Sequence, residues 1–136
     1  MRKLKKIQKI ATLIPYRKGD KWGYIDKKGK IVIPIQYDDA DFFSEGLASV
    51  KINGKWGYID KKGKMVIPDV YDETLDFSED LASVKINGKW GYIDKKGKIV
   101  IPIQYDDADF LFFSEGIAQV EINGKWGYID KKNIQY

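Results

Sequence analysis

From Leu47 to Ile52 the chain reads LASVKI, a run of β-formers in which apolar and polar positions partly alternate. That pattern suits a strand. Asn53-Gly54 follows, a pair suited to a two-residue type I′ hairpin, whose central positions both need φ > 0. KWGYID (Lys55–Asp60) is then a second strand, and DKKGK (Asp60–Lys64) a second turn. In that turn Asp60 is placed to accept from the turn backbone, and Gly63 to take a left-handed position. KMVIP (Lys64–Pro68) reads as a third strand, which Pro68 stops or confines to a sheet edge. The pattern predicts a three-stranded antiparallel meander. A connection, DVYDETLDFSED, follows, with Tyr71 and Phe77 tucked beneath it.

The same pattern recurs. Trp22, Trp56, Trp90 and Trp126 are spaced by 34, 34 and 36 residues, and Lys21–Phe42 is identical to Lys89–Phe110. The longer last spacing comes from two additional residues around Leu111–Phe112. Near-identity of this kind marks either a recent duplication or a consensus-like array; the scattered differences favour duplication. A unit of this size buries too little apolar surface to offset an ordering entropy of ~1–2 kcal/mol per residue. Stacked neighbours must cover its faces. The expected units are 13–46, 47–80, 81–116 and a partial unit 117–136, in which KKNIQY stands where a third strand would begin. No sustained helical periodicity occurs from Leu13 onward. Residues 1–12 form a basic arm, with Leu4, Ile7, Ile10 and Ala11 on one helical face, too short to be a stable helix unless it docks.

The words KWGYIDKKGKIVIP, then YDDADFFSEGLA, resemble the WG-repeat (KWG-repeat) β family. The Trp-Gly pairs stand at Trp22-Gly23, Trp56-Gly57, Trp90-Gly91 and Trp126-Gly127, and FSEG at Phe43–Gly46 and Phe113–Gly116. Asp80 replaces the motif's Gly in the middle copy. The resemblance covers Leu13 to the C-terminus. It implies an all-β module that binds or scaffolds rather than catalyses. The fold expected is all-β: tandem three-stranded meanders in an open propeller-like or superhelical array.

Composition narrows the chemistry. The 136-residue chain has no Cys and no His, which removes thiolate and imidazole chemistry and nearly every zinc or copper site. No cofactor or metal is expected. Asp38, Asp39, Asp41 and Glu45, repeated as Asp106, Asp107, Asp109 and Glu115, are read as solvated acids of a connection; a catalytic pair is usually single and asymmetric. The chain is therefore not expected to be an enzyme. Trp22, Trp56, Trp90 and Trp126 are read as filling gaps between sheets, with Gly23, Gly57, Gly91 and Gly127 permitting close approach. The competing reading makes exposed Trp a glycan or nucleobase platform.

The net charge is +4, and Lys27-Lys28, Lys61-Lys62, Lys95-Lys96 and Lys131-Lys132 fall at equivalent hairpin tips. Lined along one edge they could bind an anionic ligand, nucleic acid or a phosphorylated molecule. Solubility and edge protection are the simpler reading. No apolar run approaches the ~20 residues that span a membrane. A signal peptide fits poorly, so a cytoplasmic location is favoured. The leading function is a non-enzymatic scaffold for protein–protein interaction. Its partner is expected to be a protein, and a second copy, in a homodimer through the C-terminal unit, is favoured over the N-terminal arm folding back: the strand at Lys125–Asp130, which carries Tyr128, is left as a bare edge, and Leu111 and Phe112 add apolar side chains without a pocket in the regular repeat.

Overall fold

A computed structural model describes residues 12–133, with only the backbone course at 108–114. The expected arm, apart from Thr12, lies outside the described residues. The described chain is all-β and folds into four antiparallel sheets in sequence order. The first contains β1 (Ile14–Lys18), β2 (Lys21–Ile25) and β3 (Ile31–Tyr37). The second contains β4 (Asp39–Ala40), β5 (Ala48–Ile52), β6 (Lys55–Ile59) and β7 (Met65–Tyr71). The third repeats this with β8 (Glu73–Thr74), β9 (Ala82–Ile86), β10 (Lys89–Ile93) and β11 (Ile99–Tyr105). The fourth has β12 (Asp107–Ser114), β13 (Ile117–Ile122) and β14 (Lys125–Asp130). The sheets are open and arranged in tandem, as the sequence pattern implied.

Three details differ from the expected meander. The third strand does not stop at its proline: β3, β7 and β11 run on to Tyr37, Tyr71 and Tyr105. Tyr71 therefore sits in a strand rather than a connection. Each of these three prolines lies in an irregular stretch of an edge strand, as between the pairs Trp56↔Tyr71 and Tyr58↔Ile67, where the missing N–H does least harm. The connection also supplies a two-residue strand, β4 or β8, to the next sheet, making the two middle sheets four-stranded. In the fourth sheet its counterpart, β12, is eight residues long and runs through Leu111 and Phe112.

The glycine after each of the first three tryptophans answers to the same irregular stretch. A Cβ on Gly23, Gly57 or Gly91 would stand 2.6, 2.5 or 2.7 Å from the carbonyl oxygen of Ile33, Ile67 or Ile101. The hairpin turns follow the sequence rules: Asn53 and Gly54 have φ of 50° and 84°, and Lys62 and Lys64 donate their N–H groups to Asp60 Oδ1, both at 2.9 Å.

Each core lies between two sheets. Tyr24, Ile33 and Tyr37 of the first meet Ala48, Val50 and Ile59 of the second. Tyr58, Ile67 and Tyr71 of the second meet Ala82, Val84 and Ile93 of the third. Trp90, Tyr92, Ile101 and Tyr105 of the third meet Ala118, Val120 and Ile129 of the fourth. Every contact sets bulky aromatics and an isoleucine on one face against Ala, Val and an isoleucine on the next. Tyr24 and Tyr58 also stand edge-on to Phe43 and Phe77, at 5.0 and 4.9 Å between ring centroids. Their hydroxyls donate to the carbonyls of Asp41 (2.7 Å) and Leu75 (2.6 Å). Burial raises both hydroxyl pKa values well above the ordinary phenol range, so they remain donors.

Polar contacts tie the same neighbours together. Asp38, Asp72 and Asp106 each follow a third strand and pair with Lys21, Lys55 and Lys89. Each also accepts from the first residue of the next Asn-Gly turn: Asn53 (2.8 Å), Asn87 (2.9 Å) and Asn123 (2.7 Å). The lysine hydrogen bond first, and the asparagine N–H second, hold these carboxyls below the usual aspartate range. Asp41 and Asp76 are shifted the other way, chiefly by desolvation.

These opposite shifts set the acid response. A lowered pKa stabilises the fold above the unfolded value, ~4, and that contribution disappears as pH falls through the folded value. A raised one opposes folding at neutral pH and ceases to do so below ~4. Asp72→Asn should therefore lose stability at pH 7 and unfold with a shallower dependence between pH 5 and 2. Asp76→Asn should gain stability at pH 7 and match the wild type at pH 3. Denaturant titrations across that range check both signs. Trp90→Ala should cost ~3–5 kcal/mol as a core truncation. Gly57→Ala should destabilise by ~1–3 kcal/mol through overpacking against the Ile67–Asp69 backbone.

Candidate functional site: the C-terminal sheet

The fourth sheet repeats the sequence of the others without their surroundings. Its face toward the third sheet is covered: Ala118, Val120 and Ile129 are buried. Its opposite face has no neighbouring sheet among the described residues. Trp126 is 46% exposed where its equivalent Trp90 is 6%, and Tyr128 is 50% exposed where Tyr92 is 0%. Ile117 is 45% exposed where Leu81 is 5%. Trp22 and Trp56 are half-buried and pack against the first and second cores. The four rings thus do not form a repeated exposed platform; exposure is concentrated at Trp126.

The edge of this sheet differs as well. β2, β6 and β10 each pair on both sides, the outer partner being β3, β7 or β11. Among the described residues β14 pairs with β13 alone. Alongside it lies a concavity of about 440 Å³ lined by Tyr105, Lys125, Trp126, Gly127, Tyr128 and Ile129, among others. Lys125 is exposed here, in the position from which Lys21, Lys55 and Lys89 reach their aspartates. Leu111 and Phe112 lie in β12 of this sheet; their side chains are outside what the structure describes.

The lysine tips follow one another from sheet to sheet, but they are not a row of free cations. Lys95 Nζ lies 3.6 Å from Glu45 and 3.4 Å from Asp80, and Lys131 Nζ lies 3.4 Å from Glu79. Lys28, Lys62, Lys96 and Lys132 are exposed, as are Lys27 and Lys61.

The acids of the connections do not form one site. Asp38 and Asp106 hold lysines and turn amides. Asp39 accepts from the N–H of Ala40, and Asp41 from Ser49 Oγ at 3.1 Å. Asp107 and Asp109 fall in β12, and Glu115 is exposed with φ of 53°. Glu45 has a part that the sequence reading missed. Its carboxylate accepts from the N–H groups of Glu79 and Asp80, both at 2.9 Å, and Glu79 in turn accepts from Gly116 N–H at 2.8 Å. Ser44 Oγ donates to the Phe77 carbonyl at 2.8 Å. FSEG is therefore a turn-on-turn ladder along the array. Its sequence signal was the invariance of Ser-Glu, stronger than a solvated connection requires. Among the described residues no group of three or more His, Cys, Asp or Glu is placed to hold a metal ion, and no helix is long and apolar enough to cross a membrane.

The repeated geometry agrees with comparison to known proteins. The family model described as WG containing repeat matches residues 22–56, 56–90 and 90–126, each match running from one tryptophan to the next. No curated protein matches the chain. With three tandem matches over most of its length, and with the Trp-Gly strand, the proline-bearing edge strand and the Ser-Glu turn recurring in space as in sequence, the chain belongs to the WG-repeat family.

Proposed function

We propose that this chain is a non-enzymatic repeat scaffold for protein–protein interaction, with the C-terminal sheet as its binding end and a second copy as the first partner. The contrast between Trp126 and Trp90 carries this reading. The same residue that is buried between sheets three and four is left exposed on the far side of sheet four, with Tyr128 and Ile117 beside it. Such a face is built to be covered. Contact between two like faces is isologous and closes at two copies.

Binding of an anionic ligand along the lysine tips has less support, because Lys95 and Lys131 are already paired with carboxylates of the preceding units. Binding to unrelated polyanions should accordingly be weak, with a shallow salt dependence. A glycan platform would rest on Trp126 alone rather than on a repeated series.

Sedimentation at micromolar concentration should show a dimer. The double substitution Trp126→Ser, Tyr128→Ser should return a monomer without the large loss of stability expected of Trp90→Ala. A wild-type monomer throughout this range would remove self-association, and a dimer unchanged by the double substitution would move the interface elsewhere.

A further inference from the structure

The concavity beside β14 has a template in the same molecule. In each of the first three sheets the KWGYI strand carries an outer strand in one register. Tyr37, Tyr71 and Tyr105 stand opposite Trp22, Trp56 and Trp90. Ile33, Ile67 and Ile101 stand opposite Tyr24, Tyr58 and Tyr92. Ile31, Met65 and Ile99 stand opposite Ile25, Ile59 and Ile93. The outer strand's backbone then crosses the glycine so closely that no Cβ fits between them. The aspartate just after the tyrosine closes on the lysine that begins the inner strand. β14 repeats every receiving element, Lys125, Trp126, Gly127, Tyr128 and Ile129; among the described residues no outer strand pairs with it, and a concavity of about 440 Å³ lies beside it.

We infer that this groove is a strand-addition site for an extended segment of a partner protein with the pattern aliphatic-Val-Ile-Pro-x-x-Tyr-Asp. This rests on the reading of the C-terminal sheet as the binding end and names the ligand that end selects. The segment's Tyr stands opposite Trp126 and its Ile opposite Tyr128. Its backbone crosses Gly127, and its Asp meets Lys125. Main-chain pairing supplies affinity, while the alternate side chains and the terminal ion pair supply selectivity. A folded second copy is not the source. Its strands of this sequence, β3, β7 and β11, already use the required edge on their own β2, β6 and β10.

The test is a fluorescently labelled peptide, KGKIVIPIQYDD, which is the sequence of residues 96–107. Added to the full chain, it should bind saturably by anisotropy and protect β14 amides from hydrogen exchange; a scrambled peptide should do neither. Gly127→Val should weaken binding by at least about tenfold, since its side chain occupies the path of the added backbone. Lys125→Glu should also weaken it, and a peptide with both aspartates changed to Lys should recover affinity for that variant. This charge swap remains informative if Gly127→Val folds poorly. Equal binding of the scrambled peptide, or indifference to both substitutions, overturns the strand site. So does failure of the peptide to bind. If the chain still dimerises through Trp126 and Tyr128, the scaffold reading survives that failure; if it does neither, both readings fall.

Discussion

None of the described sheets possesses a core of its own. Each buried cluster is assembled from the aromatic face of one sheet and the Ala-Val face of the next. A three- or four-stranded sheet of this size alone would leave both faces in water, and the surface removed would not balance the entropy of ordering it. Stability is therefore a property of neighbouring pairs, as in other quasi-one-dimensional arrays. The same constraint explains the alternation of bulk along the repeat. Large rings at Tyr58 and Tyr71 are accommodated because Ala82 and Val84 face them across the gap. Exchanging small for large on either side would leave a void or an overlap.

The polar contacts reinforce this directionality. The first two Ser-Glu turns spend their carboxylates on the turn of the following unit, and tip lysines reach back to carboxylates of earlier units. Exposed ion pairs add little individually. Carboxylates that accept from otherwise unpaired turn N–H groups do more, since they satisfy backbone donors at φ > 0 positions where no strand continues. The middle turn tolerates Asp80 in place of glycine, with φ of 67°, while Glu45 accepts its N–H. Apolar faces set the spacing between units, and the turn ladder sets their alignment.

An array built this way repeats its receiving surfaces as faithfully as its buried ones. The fourth sheet carries the same Trp-Gly-Tyr strand as the third, in a setting where the described residues cover only one of its faces. The features that make Trp90 a core residue make Trp126 a surface one. Position in the stack decides between them, without any change of residue type.

Much of this was legible in the chain. The period came from the tryptophans, the hairpins from Asn-Gly and from Asp-Lys-Lys-Gly, and the all-β class from the absence of helical spacing, because each depends on local backbone preference or on side-chain alternation. Three things were not legible. The run of β3, β7 and β11 through their prolines depends on the inner strand's glycine giving room for the irregular backbone, a contact between segments ten or more residues apart. The short strands β4 and β8 are too brief to carry a pattern and exist only because β5 and β9 offer a partner. Glu45 looked like any solvated acid until the turn that it caps, 34 residues later, was brought beside it. Sequence determined what each unit is, since that is a matter of local conformation and alternation. Tertiary structure alone decided which identical residues are buried and which are open, because burial belongs to the neighbour and not to the residue.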